Sequence, residues 1–188
     1  ERSDSAKVII DNYKCGYQAT KHLIEQGCKN IVLVTASLSR NVYQQRYKGY
    51  RDALEEEGLT FNDSNVLIKD LSEQCGVEAA EYILQMNPRP DGAFITNDFS
   101  AAVCMKTLKE NGINIPEDIA IVGFNNDAVG KIIEPQLTTI DYPGIDMGEI
   151  AANSLIEQLA GDTKVNPIST LVVRSELIVR GSSLKEKK

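Results

Sequence analysis

The sequence predicts an α/β chain: a three-layer, doubly wound parallel sheet, with one nearly complete lobe and a remnant of a second. Short β-rich apolar runs alternate with longer stretches of helical period, the order that a parallel sheet requires. Three of the apolar runs end in amides and carboxylates: VIIDN at residues 8–12, AFITND at 93–98 and IAIVGFNND at 119–127. Such side chains are costly to bury unless something hydrogen-bonds them.

Taken in order, residues 8–10 read as a strand and residues 17–26 as a helix with Ala19, Leu23 and Ile24 on one face and Gly27 as its stop. IVLVT at 31–35 is a fully apolar strand. After a polar loop, residues 44–57 give a helix in which Tyr47, Tyr50 and Leu54 recur at i, i+3 and i+7, ended by Gly58. Residues 66–68 form a short strand, and Val77, Ala80, Ile83 and Leu84 line the next helix. The strand at 93–96 leads into a helix carrying Ala101, Met105 and Leu108, closed by Gly112 and Pro116, and 119–124 is the next strand. Units of this kind cross over right-handedly, so their strands are parallel and all end at the same edge of the sheet. That edge is where ligands bind in open α/β sheets.

From Pro135 the pattern changes. QLTTIDYP reads as extended, residues 145–159 as an amphipathic helix ended by Gly161, and 169–179 as a long strand or hairpin. A helix and strands appended to a complete α/β unit predict a chain that crosses between two lobes. One strand and one helix before Gly27 cannot form a lobe alone. The expected division is 1–27 as a remnant of the N-terminal lobe, 28–140 as the main part of the C-terminal lobe, 141–163 as a helix returning to the N-terminal lobe, and 164–188 as the final strands of the C-terminal lobe and a tail.

Composition narrows the function. A net charge of −7 without a basic stripe makes the chain by itself a poor nucleic-acid binder. The 4 cysteines include no C-x-x-C pair, against a zinc site or redox dithiol, and suit a reducing cytoplasm. No apolar run approaches the ~18 residues of a membrane span. The absence of an initial Met suggests a piece of something longer. His22 is the only histidine and is predicted on an exposed helix flank; no nucleophile elbow, dinucleotide fingerprint or phosphate loop occurs. No cofactor, metal or catalytic residue is expected.

The candidate site residues are those at the strand ends. Asn97 or Asp98 could simply cap a helix, and Asn125, Asn126 and Asp127 could form an Asx turn. Their recurrence at the ligand edge, with Asp11 and Asn12 after the first strand, offers amide donors and carboxylate acceptors for vicinal hydroxyls or a heterocycle edge. Arg40 stands before a helix and Arg46 in its first turns, where the helix dipole disfavours a cation, which hints at a task other than helix stability. A guanidinium can fork to two ring oxygens at once.

The order of VIIDNYKCGYQATKHLIEQGCKNIVLVTA, RYKGYRDALEEEGL, PDGAFITNDFSAA, LKENGINIPEDIAIVGFNND, PQLTTIDYPGIDMGEIAANSLIEQL and SELIVRGSS resembles the effector-binding domain of the LacI/GalR family of bacterial transcriptional regulators, over residues 8–183. The resemblance implies a two-lobed core, a small-molecule effector such as a sugar, a homodimer, a cytoplasmic location, and operator DNA bound through an N-terminal helix-turn-helix domain that this chain lacks. It places Asp11 at the inter-lobe cleft, Arg46 in the R-x-x-G-[YF] segment that grips the effector, Asn97 in the N-D pair, and Asn125 where the family usually has Asp. Arg40 and Leu71 match looser, effector-specific positions. Asn125 departs by exchanging a carboxylate for an amide; Leu71 stands where an aromatic is common, a role that Tyr43, Phe99 or Phe124 could take over. A periplasmic sugar-binding protein of a transport system is the alternative binding module, and a small hydrolase or transferase using Asp98 or Asp127 is the enzyme alternative.

Overall fold

The computed structural model describes residues 6–160 and 170–185. The chain divides into two compact units, Glu1–Asp11 with Tyr142–Ser175, and Asn12–Asp141 with Glu176–Lys188.

The second unit is a six-stranded sheet. Its strands are β2 (Ile31–Thr35), β3 (Val66–Ile68), β4 (Gly92–Ile95), β5 (Ala120–Asn125), β6 (Thr138–Asp141) and β8 (Leu177–Ile178), in the order β3-β2-β4-β5-β6-β8. All pairs are parallel except β6 with β8. Because side chains alternate across a strand, the sheet has two apolar faces. Val32, Val34, Ala93, Ile95 and Ile121 join Ala79, Ile83, Ala101, Met105 and Leu108 in one core cluster, under α3 (Glu73–Gln85) and α4 (Asp98–Glu110). The opposite face meets α1 (Asn12–Glu25) and α2 (Asn41–Glu56), where the buried Tyr50 donates its hydroxyl to Ile31 O at 2.8 Å. Helices on both faces of a parallel sheet make the expected three layers.

The helices α1 and α2 pack together because each carries a glycine at the crossing. A Cβ on Gly16 would lie 2.2 Å from Arg46 O, and one on Gly49 would lie 2.2 Å from Tyr13 O. This packing corrects the expected boundary: residues 12–27 belong to the second unit, and the division falls between Asp11 and Asn12. Both α1 and α2 also begin earlier than their apolar periodicity predicts.

The end of the chain is fastened to the second unit by hydroxyls. Ser182 Oγ donates to Ile121 O at 2.6 Å, while Ser183 Oγ lies 2.6 Å from Thr138 Oγ1 and 2.7 Å from His22 Nε2. His22 is therefore buried, at 7% exposure, not on an exposed flank. Its imidazole holds the C-terminal segment to α1.

The first unit contains β1 (Lys7–Ile10) paired in parallel with β7 (Thr170–Val173), Lys7 opposite Thr170 and Ile10 opposite Val173, and α6 (Gly144–Leu159) against β1. The expected single strand or hairpin at 169–179 is thus two strands in two sheets, and β7 leaves the lobe to which 164–188 had been assigned. Gly161 and Ser169 lie outside the described residues. α6 buries no residue fully, and Ile145 and Leu159 are 80% and 79% exposed. A short helix α5 (Val129–Ile132) links β5 to β6. No described helix is long and apolar enough to cross a membrane.

Candidate functional site

The C-terminal ends of β2, β4 and β5 meet at one edge of the second unit. Phe94 pairs with Val122 and Leu33 with Phe94, so Asn97 and Asn125 stand at the same level beyond adjacent strands. Arg46 reaches this edge from α2. Its guanidinium lies 3.5 Å from the Phe124 ring centroid and 5.3 Å from that of Tyr43, and its Nε donates to Asn12 Oδ1 at 2.9 Å. With α2 beginning at Asn41, Arg46 falls beyond the first turn, so the helix dipole does not penalise it as the sequence suggested; stacking and burial fix its place instead. Arg46 is tied to the end of β5 through Phe124, the residue preceding Asn125.

Asn97 is the N-cap of α4: its Oδ1 accepts from Ser100 N at 3.0 Å. The capping reading holds for Asn97; Asp98 is the first residue of the helix and not its cap. Asp98 is fully buried, accepting from Thr139 Oγ1 and from Asp127 N, both at 2.7 Å. Burial raises its pKa, and the two donors oppose that rise. Gly123 makes room for it, since a Cβ there would lie 2.2 Å from Asp98 Oδ1.

The turn after β5 carries two non-glycine residues in the left-handed region, Asn125 at φ 125° and Asn126 at φ 62°. Asn125 donates to Asp127 Oδ2 at 3.2 Å, an Asx-type contact. Asn126 is tied to the sheet, donating from Nδ2 to Asp141 Oδ1 at 2.8 Å and accepting from Arg180 Nη2 at 2.7 Å. Arg180, Thr139 and Asp141 were not singled out as site residues from the sequence; the arginine ending LIVR offered a sign only as an unexplained cation after an apolar strand.

The remaining candidates are placed differently. Arg40 is exposed, immediately before α2, at the same edge. Leu71, at φ 61°, packs its side chain against the core cluster under α3 and α4, while its carbonyl accepts from Ser100 Oγ. Asp11 ends β1 in the first unit and is exposed. Of the three rings that could replace an aromatic at 71, Phe124 is fully buried with Arg46 stacked on it, Tyr43 faces the same guanidinium, and Phe99, in the first turn of α4, is 47% exposed.

A cavity of about 690 Å³ lies at the opposite edge, lined by Lys29, Asn30, Leu59, Asn65, Tyr82 and Pro88 among others. Two of its amides are engaged within the protein, Asn65 donating to Asn30 and Asn30 to Pro88 O. No group of acidic, histidine and cysteine side chains able to hold a metal occurs among the described residues.

Residues 20–183 match the family described as periplasmic binding protein-like domain. The chain is 34% identical over 177 residues to the HTH-type transcriptional repressor PurR of Haemophilus influenzae, covering 93% of this chain and 53% of that protein. It is 32% identical over 170 residues to catabolite control protein A of Priestia megaterium, covering 90% and 51%. Among solved structures, the transcriptional regulator CelR in complex with cellobiose superposes with a TM-score of 0.89 at 30% identity, over 97% of this chain and 55% of that one. The chain spans about half the length of the curated relatives it matches. The fold and these likenesses agree: the chain belongs to the periplasmic binding protein-like family, and it is similar to transcriptional regulators over about half of their length.

Proposed function

We propose that the domain binds a sugar at the edge formed by Arg46, Asn97 and Asn125, and that occupancy alters the operator affinity of the regulator to which it belongs. The observation that carries this reading is the Arg46 guanidinium stacked on Phe124, the residue before Asn125, with Asn125 level with Asn97: a fork of donors and two amides at the strand ends where α/β sheets take ligands. Arg40 lies within the same edge, and Phe99 supplies the exposed ring on which an apolar sugar face stacks. Leu71 shapes the loop through packing. Binding, not turnover, is the activity, and it acts by favouring one of two arrangements of the regulator. The reading extends to a cytoplasmic homodimer that meets DNA through a separate helix-turn-helix domain.

Cellobiose in the CelR complex supports a sugar. The PurR relatives support a second reading, a purine-type effector, for which Arg40 and the amides provide donors and acceptors to a heterocycle edge. A thermal-shift screen of the full-length protein against cellobiose and other sugars, nucleosides and free purines separates the two. Stabilisation by purines alone would replace the sugar reading, and stabilisation by none of these classes would overturn both.

A further inference from the structure

We propose that Arg180 is a positioning residue for the effector edge, locking the turn after β5 so that Asn125 presents its amide in a single conformation. The proposal rests on the reading above that Asn125 touches the effector.

Asn125 and Asn126 sit in the left-handed region, where L side chains are strained and a glycine would be relaxed. Such strain persists only when the surroundings over-determine it. Here they do. The backbone of Arg180 is pinned to β6: its N–H donates to Thr138 Oγ1 at 2.8 Å, and Thr138 Oγ1 donates to Arg180 O at 2.9 Å. From that base the guanidinium spans two acceptors, Nη1 donating to Leu137 O and Nη2 to Asn126 Oδ1, each at 2.7 Å. Asn126 then donates to Asp141 Oδ1 at 2.8 Å and, from its backbone N–H, to Thr139 Oγ1 at 3.3 Å. Asp127 N is held by the buried Asp98 at 2.7 Å.

Both ends of the Asn126 amide are therefore consumed by the scaffold, which accounts for an asparagine where glycine would be easier. Asn125 is treated differently: among the described residues its side chain donates to Asp127, at 3.2 Å. The scaffold immobilises one amide in order to aim its neighbour. Lysine could reach one acceptor but could not fork to both.

Hydrogen–deuterium exchange on the full-length protein tests the scaffold without any ligand. Arg180→Met is expected to speed exchange across residues 124–128 by about tenfold or more, with β2 and β4 unchanged, and Arg180→Lys to fall between. Unchanged exchange at 124–128, or acceleration of all segments together, would overturn the proposal. Cellobiose titrations of wild type, Asn125→Ala, Arg180→Met and the double variant test the link to binding. Each single change is expected to weaken cellobiose by roughly tenfold, and Arg180→Met to add nothing once Asn125 is alanine. Unaltered binding by Asn125→Ala would sink the reading of the site. Weakened binding by Asn125→Ala, with Arg180→Met either silent or fully additive, would sink the positioning role alone. If cellobiose does not bind the wild type, the exchange result decides.

Discussion

The guanidinium carbon of Arg46 lies 3.5 Å from the centre of the Phe124 ring, and Phe124 is the residue before Asn125. A cation over an aromatic face is held both electrostatically and by the match of two flat surfaces. With Nε engaged by Asn12, the plane of the guanidinium is fixed before any ligand arrives. Phe124 is thereby committed to Arg46 and, fully buried, has no exposed ring face.

Arg46→Ala is expected to weaken effector binding by roughly 10- to 150-fold, the equivalent of a charged hydrogen bond of about 1.5 to 3 kcal/mol. Arg46→Lys should recover little, because an ammonium neither forks nor stacks flat on the ring. Titration calorimetry on the full-length protein, with the compound selected by thermal shift, checks this; wild-type affinity in the alanine variant would refute it.

The α1–α2 crossing admits no added methyl group. Gly49→Ala places a Cβ on Tyr13 O, and Gly16→Ala places one on Arg46 O, both backbone atoms that cannot swing aside. Each change should cost about 1–3 kcal/mol, the usual range for overpacking, seen as a lower midpoint in urea. Gly16→Ala should also weaken effector binding, since the displaced backbone is that of Arg46. Midpoints equal to wild type would mean that the helices can separate freely.

Burial lowers the pKa of His22 from its ordinary 6.5, with Glu25 opposing that shift. The unfolded chain therefore takes up a proton at this residue before the folded one does. Stability linked to His22 is complete above pH 6.5 and is lost as pH falls through that value. Melting temperature should drop more steeply between about pH 7.5 and 5.5 in wild type than in His22→Gln, because the imidazole is the titrating group that the substitution removes. Parallel pH profiles for the two proteins would show that the contact with Ser183 is not linked to protonation.

All four cysteines are buried and free. Burial pushes the thiol of Cys28 up to about 11 and that of Cys104 to about 12, and raises Cys75 as well. Thiolates are the reactive form, so a disulfide reagent should modify the native protein at least about a hundredfold more slowly than the denatured chain. Prompt native labelling would show that one of these thiols is accessible.

What could be read from the sequence was whatever depends on near neighbours. The apolar run IVLVT and the glycine stops at Gly27, Gly58 and Gly112, all at positive φ, specify strands and helix ends through local sterics and periodicity. The parallel crossover follows from that alternation, and with it the edge at which Asn97 and Asn125 stand. Tertiary structure decided the partnerships. His22 reads as a surface residue from its helical flank, and only the return of the chain to Ser183 buries it. α1 looked like part of a remnant lobe, until paired glycines set it against α2. Arg180 has no local reason to matter; it gains one by folding back beside Asn126. Periodicity reports which face of an element is apolar, but it carries no information about which distant residue will come to lie against it. Those contacts, made across the sheet and between its layers, hold Arg46 on its ring and fix the turn that carries Asn125.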